Sequence, residues 1–137
     1  HKETLIFENL TFRGGTGFFI SVCFFLSGSD QEINLGRFFY LSMAMCYFIE
    51  YDSNNFLEWA EKAIQAAPNA PIRRALMIAY AMEENDKELA QKHFLALNNF
   101  APDFIPSVLD GENILFADDE HRQRVNGGLQ AFLSLGK

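Results

Sequence analysis

Few residues in this chain are arranged to do chemistry. His93 stands beside Phe94 in a segment of helical periodicity. A histidine acting as general base needs a Ser, Cys or acid partner placed for it. No known motif supplies one, so a partly exposed surface histidine is expected. His121 lies in the run Asp118-Asp119-Glu120-His121-Arg122. A metal site there would need ligands from elsewhere, because neighbours i and i+1 point to different sides of a helix. A solvated, acidic helix start accounts for the run instead. Gly14-Gly15-Thr16-Gly17 is glycine-rich but lacks the following Lys-Ser/Thr and the preceding strand of a phosphate loop. Cys23 and Cys46 are the only cysteines, each inside an apolar run, with no CxxC or Cys/His cluster to hold zinc. They are expected to be buried thiols rather than a disulfide. No enzyme, metal centre or cofactor is expected.

The bulk numbers narrow the class further. The chain has 137 residues, 49% hydrophobic and 21% charged, which suits one packed domain and not a disordered tail. Its net charge of -7, with Arg73-Arg74 and Arg122/Arg124 as the tight basic pairs, argues against nucleic acid as partner. The apolar runs Phe18 to Leu26 and Phe38 to Ile49 are both shorter than the roughly 20 residues of a spanning helix. Ser27-Gly28-Ser29-Asp30-Gln31-Glu32 between them cannot sit in hydrocarbon. The first residues do not read as a signal peptide. A soluble, cytoplasmic chain without membrane contact is expected. Because it opens at His1 and not at Met, it reads as a piece of a longer protein, with His1 as a tag remnant.

Helix signals dominate the elements that must position these residues. Lys2 to Arg13 is short and ambiguous, and Phe18 to Ser27 is apolar almost all round, so a helix there must be covered on most sides. Helices are predicted over Leu35 to Glu50 or Tyr51, Asn54 to Ala67 behind an Asp52 or Ser53 cap, and Pro71 or Ile72 to Glu84. Asn85 suits a left-handed turn and Asp86 caps the next helix, Lys87 to Phe100. A looser segment with Pro106, Gly111 and Asn113 follows. The last helix is predicted from Asp119 to Leu135, capped by Asp118. Glu58/Lys62 and Glu88/Lys92 form favourable i,i+4 pairs. Trp59 is expected to pack on the next hairpin. Gly127-Gly128 implies either a close helix crossing or a helix break. No strand is predicted.

Pro68 and Pro102 each close a helical hairpin, and 34 residues separate them (102 − 68). That period, with Tyr40-x2-Met43-Ala44-x2-Tyr47 in one hairpin and Ala90-x3-Phe94 in the next, resembles the tetratricopeptide repeat. Phe56 and Ala60 exchange the large and small positions of the pattern, and Arg74, Met77, Ile78 and Ala81 depart from it. The segment Glu58-Trp59-Ala60-Glu61-Lys62-Ala63-Ile64 adds to the resemblance, as do Phe100-Ala101-Pro102-Asp103-Phe104 and Asp118 to Arg124 with Gly128-Leu129. Together they resemble the C-terminal tetratricopeptide-like region of bacterial class III adenylate/guanylate cyclase-like proteins and of some winged-helix transcriptional regulators. The resemblance covers about residues 37 to 137 and no catalytic motif. It implies an all-α fold of two to three antiparallel hairpins in a right-handed stack with a C-terminal capping helix. Residues 1–34 would form a Phe-rich degenerate hairpin, 35–68 and 69–102 two repeats, and 103–137 the loop and cap.

In such arrays the inner helices line a concave groove for a peptide or helix. The register places Phe38, Leu41, Met45, Phe48 and Ile49 there from one repeat. Ile72, Ala75, Ala79, Met82 and Glu83 follow from the next. No Lys, Arg or Asn is among them, so an apolar helix or peptide is the expected partner, or else a helix of the chain itself fills the groove. The implied function is a non-catalytic interaction or regulatory module of a bacterial signalling protein. The alternative is dimerisation through Phe18, Phe19, Phe24 and Phe25, since ten of the 15 Phe fall at or before Phe56. A less favoured alternative is a sensor of an apolar small ligand.

Overall fold

The computed structural model describes residues 32–136, with side chains from residue 39 onward. The expectations for Phe18, Phe19, Phe24, Phe25, Cys23, the Phe18–Leu26 helix and the upstream hairpin lie outside the described residues. Among those described there are six helices and no strand: α1 (Glu32–Ile49), α2 (Ser53–Ala66), α3 (Pro71–Glu83), α4 (Lys87–Phe100), α5 (Phe104–Leu109) and α6 (Asp119–Ser134). The chain divides into two compact units, with α1 and α2 in one and α3 to α6 in the other.

Local chemistry sets the helix ends. Asp52 accepts a hydrogen bond from the Asn55 amide at 3.3 Å, and Asp86 accepts one from the Leu89 amide at 3.1 Å. Each therefore satisfies an amide that the first helical turn leaves open. Just before each cap the chain turns through a left-handed residue, Tyr51 and Asn85, both at φ 60°. The amide of Asp52 then donates to the Tyr47 carbonyl at 3.0 Å, and that of Asp86 to the Ala81 carbonyl at 2.8 Å. The recurrence is quantitative. Ile49, Ser53 and Ala66 return as Glu83, Lys87 and Phe100, an offset of 34 each time (83 − 49, 87 − 53, 100 − 66).

In the first unit, α2 buries Phe56, Ala60, Ala63 and Ile64, one stripe at helical spacing. Phe56 meets Phe48 of α1 with ring centroids 5.8 Å apart. Trp59 packs within its own hairpin: its ring lies edge-on to Phe39 at 5.6 Å and near Tyr40 at 6.1 Å, both on α1. Lys62 sits 4.3 Å above the same ring while also reaching Glu58 at 3.3 Å, so the i,i+4 pair forms as predicted.

The second unit is organised around α3, in which every residue from Ala75 to Ala81 is buried. α4 packs on it through Ala90, His93 and Leu97, and α6 through Val125, Gly128, Leu129 and Phe132. Gly128 resolves the double-glycine question in favour of a close crossing. A methyl built there would lie 2.8 Å from the Ala79 Cα, whereas one at Gly127 would meet nothing within 4 Å. The segment after α4 corrects the sequence reading, because Phe104–Leu109 is helical and buries Ile105 and Val108. Pro106 fits there because the amides of a first turn have no intrahelical partner. The helix ends at Gly111, φ 84°, a conformation that favours glycine.

Two substitutions separate packing from propensity at the crossing. Gly127→Ala should raise stability by about 0.5–1 kcal/mol, and Gly128→Ala should lower it by about 1–3 kcal/mol, measured by urea unfolding. Equal effects would mean that α6 does not approach Ala79. At the first turn, Tyr51→Gly should stabilise by about 1 kcal/mol by relieving the left-handed strain, read in the same assay.

Candidate functional site

The groove positions separate into three groups. Met45 and Phe48 are buried, with Phe48 packed inside its own hairpin against Phe56, so neither offers an open surface. Leu41 and Ile49 of α1 and Ile72 and Met82 of α3 are half-buried. Phe38 belongs to α1, and its side chain lies outside the described residues. Ala75 and Ala79 are fully buried. The last group is covered from within the unit: Gly128 of α6 sits on Ala79, and Arg124, one turn earlier in α6, holds Glu83, one turn later in α3. The opposed order of these pairs makes α6 antiparallel to α3. Positions 79 and 83, placed in a groove by the register, are thus corrected to an internal helix contact.

The Arg124–Glu83 pair has bidentate form. Nε and Nη2 donate to the two Glu83 carboxylate oxygens at 2.7 and 2.6 Å. The planar fork of arginine fits a carboxylate in this way. Arg124 keeps 11% of its side chain exposed and Glu83 29%, so the pair lies at the edge of the core. It fixes the register of α6 on α3 more than it adds to stability.

His93 also departs from expectation. It is 5% exposed, inside the α3–α4 hairpin, and its Nδ1 lies 2.9 Å from Nη1 of Arg74. A guanidinium has only donors, so Nδ1 accepts and the imidazole is neutral with its proton on Nε2. Burial, with smaller contributions from the charges of Arg74 and Lys92, depresses its pKa from 6.5 to about 4. Burial also lowers the Arg74 pKa from its ordinary value. A base so depressed, facing a guanidinium, has little proton affinity at neutral pH. The pair ties α4 to α3.

A mixed cleft of about 260 Å³ opens between the end of α5, the following loop and α6. Val108, Leu115 and Val125 give it apolar walls, while Asn113, Arg122 and Asn126 give it polar ones. Arg122 is engaged by Asp119 one turn earlier. Asn113 donates to the Ser107 hydroxyl at 2.7 Å, which donates to the Phe104 carbonyl at 2.6 Å. These bonds fold the loop back on α5. His121 meets Phe116 edge-on at 5.6 Å. Among the described residues, no group of three or more His, Cys, Asp and Glu side chains is placed to hold a metal ion. None of their helices is long and apolar enough to cross a membrane.

The residues that organise the site but escaped sequence reasoning are Arg74 and Arg124. Each sits in a basic pair that the sequence reading weighs only against nucleic-acid binding. The usable signal was Gly128, which marks where α6 must approach another helix.

The His93 environment carries a pH dependence. Between about pH 6.5 and 4 the unfolded chain takes up a proton that the folded chain refuses, so stability falls as pH drops through that window. The loss reaches about 3 kcal/mol at the acid end and is absent above pH 6.5. His93→Gln retains an acceptor for Arg74 without titrating, and its urea-unfolding curves at pH 7.5 and 4.5 should show a correspondingly smaller difference than wild type. An imidazole that titrates above pH 6 by NMR would contradict the assignment.

No family model matches this chain, and no curated protein or solved structure is similar to it at a significant level.

Proposed function

We propose that this chain is a non-catalytic interaction module of tetratricopeptide-like hairpins in a right-handed stack, with α6 as a cap, acting as a regulatory part of a larger bacterial signalling protein in the cytoplasm. The observation that supports the reading is the offset of 34 residues shared by the helix ends, the left-handed turns, the Asp caps and the exit prolines Pro68 and Pro102. Hairpins that recur in this way stack their neighbours and present one face of their inner helices to a partner. The signalling context rests on the resemblance of residues 37 to 137 alone.

The partner is an apolar helix or peptide, and the side chains offered to it are Leu41 and Ile49 on α1 of the first unit and, taken separately, Ile72 and Met82 on α3 of the second. Phe38 joins them by its place in α1. Apolar burial of this kind contributes roughly 25 cal/mol per Å² before the entropy of association is subtracted. The surface excludes Ala79, which Gly128 of α6 covers, and Glu83, which Arg124 engages. Dimerisation through Phe18, Phe19, Phe24 and Phe25 rests on residues outside those described. A dilution-series sedimentation experiment separates it from this reading.

Selection of peptides from a displayed helical library tests the proposal. Enriched peptides should carry apolar residues at i, i+3 or i+4, and i+7. Leu41→Lys, Ile72→Lys and Met82→Lys should each weaken them by about tenfold while the melting transition stays within a few degrees. Absence of enrichment, or binding indifferent to all three substitutions, would refute the groove.

A further inference from the structure

Of the four exposed large hydrophobic residues among those described, three belong to the second unit: Leu95 of α4 (58% exposed), Leu133 of α6 (38%) and Leu135 just beyond it (47%). They border two hollows. One, of about 500 Å³, is lined by Leu95, Phe132 and Leu135 with Lys87, Lys92 and Gln91. The other, of about 120 Å³, lies between Leu133, Pro102 and Ile105. The rings of Phe94 and Phe132, tilted by 43° with centroids 4.9 Å apart, line one hollow each. α4 and α6 are both antiparallel to α3, so they run in the same direction and the face between them is a shallow trough.

The repeat shows that the hairpin itself does not require these residue types. At the same register in the first hairpin, Lys92 and Leu95 correspond to Glu58 and Glu61 (92 − 58 and 95 − 61 are both 34). Both glutamates are exposed. The second hairpin has therefore replaced two exterior acids with a cation and an apolar side chain. Lys87 and Lys92 against Glu88 leave the lining one net positive charge on a chain of net charge -7, with Asp86 engaged at the Leu89 amide as the helix cap.

We infer that this face docks an acidic amphipathic helix of a partner protein, whose apolar residues seat between Leu95, Phe132 and Leu135 while its carboxylates meet Lys87 and Lys92. A trough between two parallel helices suits a third helix, and opposite charge at the rim gives orientation and on-rate. A second copy of the chain fits less well, because an isologous dimer brings the same lysines of both copies to one interface. An anionic membrane also fits less well, since recognition there uses clusters of about four to eight basic residues. The surface is separate from Ile72 and Met82 on α3, and the inference does not depend on the function proposed above.

The test titrates the isotopically labelled chain with a synthetic helix of about 16 residues, leucines on one face and glutamates beside them, and with its Lys-for-Glu counterpart. The acidic helix should bind, shifting the amide signals of Leu95, Phe132 and Leu135, and should weaken in about 0.5 M NaCl. Leu95→Glu and Lys92→Glu, both on the surface, should each reduce affinity at least about fivefold with unchanged melting curves. Several results would overturn the inference. They are no binding by either helix, equal binding by both, or shifts centred on Leu41, Ile72 and Met82. A concentration-dependent dimer lost in Leu95→Glu, or preferential binding to phosphatidylcholine–phosphatidylserine vesicles, would do the same.

Discussion

The second unit depends on the burial of α3, and the residue choices around it follow from that burial. Seven successive residues, Ala75 to Ala81, lose their solvent contact, so none carries a charge and the crossing points use small residues. Ala79 against Gly128 is the tightest of these. Leu76 and Ile78, buried completely, contribute about 1.5–3 kcal/mol each relative to exposure. The charges of α3 are displaced to its ends, and they stand in the wrong sense for the helix dipole. Arg74 lies in the first turn and Glu83 closes the last. Tertiary pairing compensates. Arg74 is taken by His93 of α4 and Glu83 by Arg124 of α6, so each neighbour is tied to α3 by one polar contact at one end.

This arrangement changes what surface a partner could use. With α6 laid antiparallel along α3, the stripe that the repeat register assigns to a groove is consumed at positions 79 and 83. Ile72 and Met82 at its flanks stay half-buried, and Glu83 stays exposed while paired with Arg124. The covering helix creates new surface in return, because Leu135 at its end lines one hollow with Leu95 and Leu133 lines another with Pro102 and Ile105. The exposed large apolar side chains of the second unit therefore lie on α4 and at the end of α6 and not on the inner helix.

The features legible in the sequence are the ones decided within a few residues. Asp52, Asp86 and Asp118 cap the helices they were expected to cap, and Asn85 takes the left-handed turn. Predicted boundaries of α2 to α4 fall within one residue of those observed, and α1 begins three residues earlier than predicted (35 − 32). The misses are of a different kind. α5 was obscured because Pro106 reads as a breaker, although a first-turn position tolerates it. The burial of His93 depends on Arg74, which is 19 residues away and carries no local sign of the contact. The destination of α6 was set by Arg124 and Glu83, 41 residues apart. Long-range pairing of charges has no period for a sequence to display.

The central claim is that α3 and α6 form one cooperative core, with α6 as an integral layer and not a loosely attached tail. Native-state hydrogen exchange across residues 32–136 tests it most directly, because it resolves the free energy at which each helix opens. The account predicts that the amides of Leu76 to Ala81 and of Val125 to Phe132 are the slowest in the second unit and exchange at the same opening free energy, that of global unfolding. If the amides of α6 exchange through a local opening several kcal/mol lower than those of α3, the pairing of Gly128 with Ala79 and of Arg124 with Glu83 does not hold the helix, and the account is wrong.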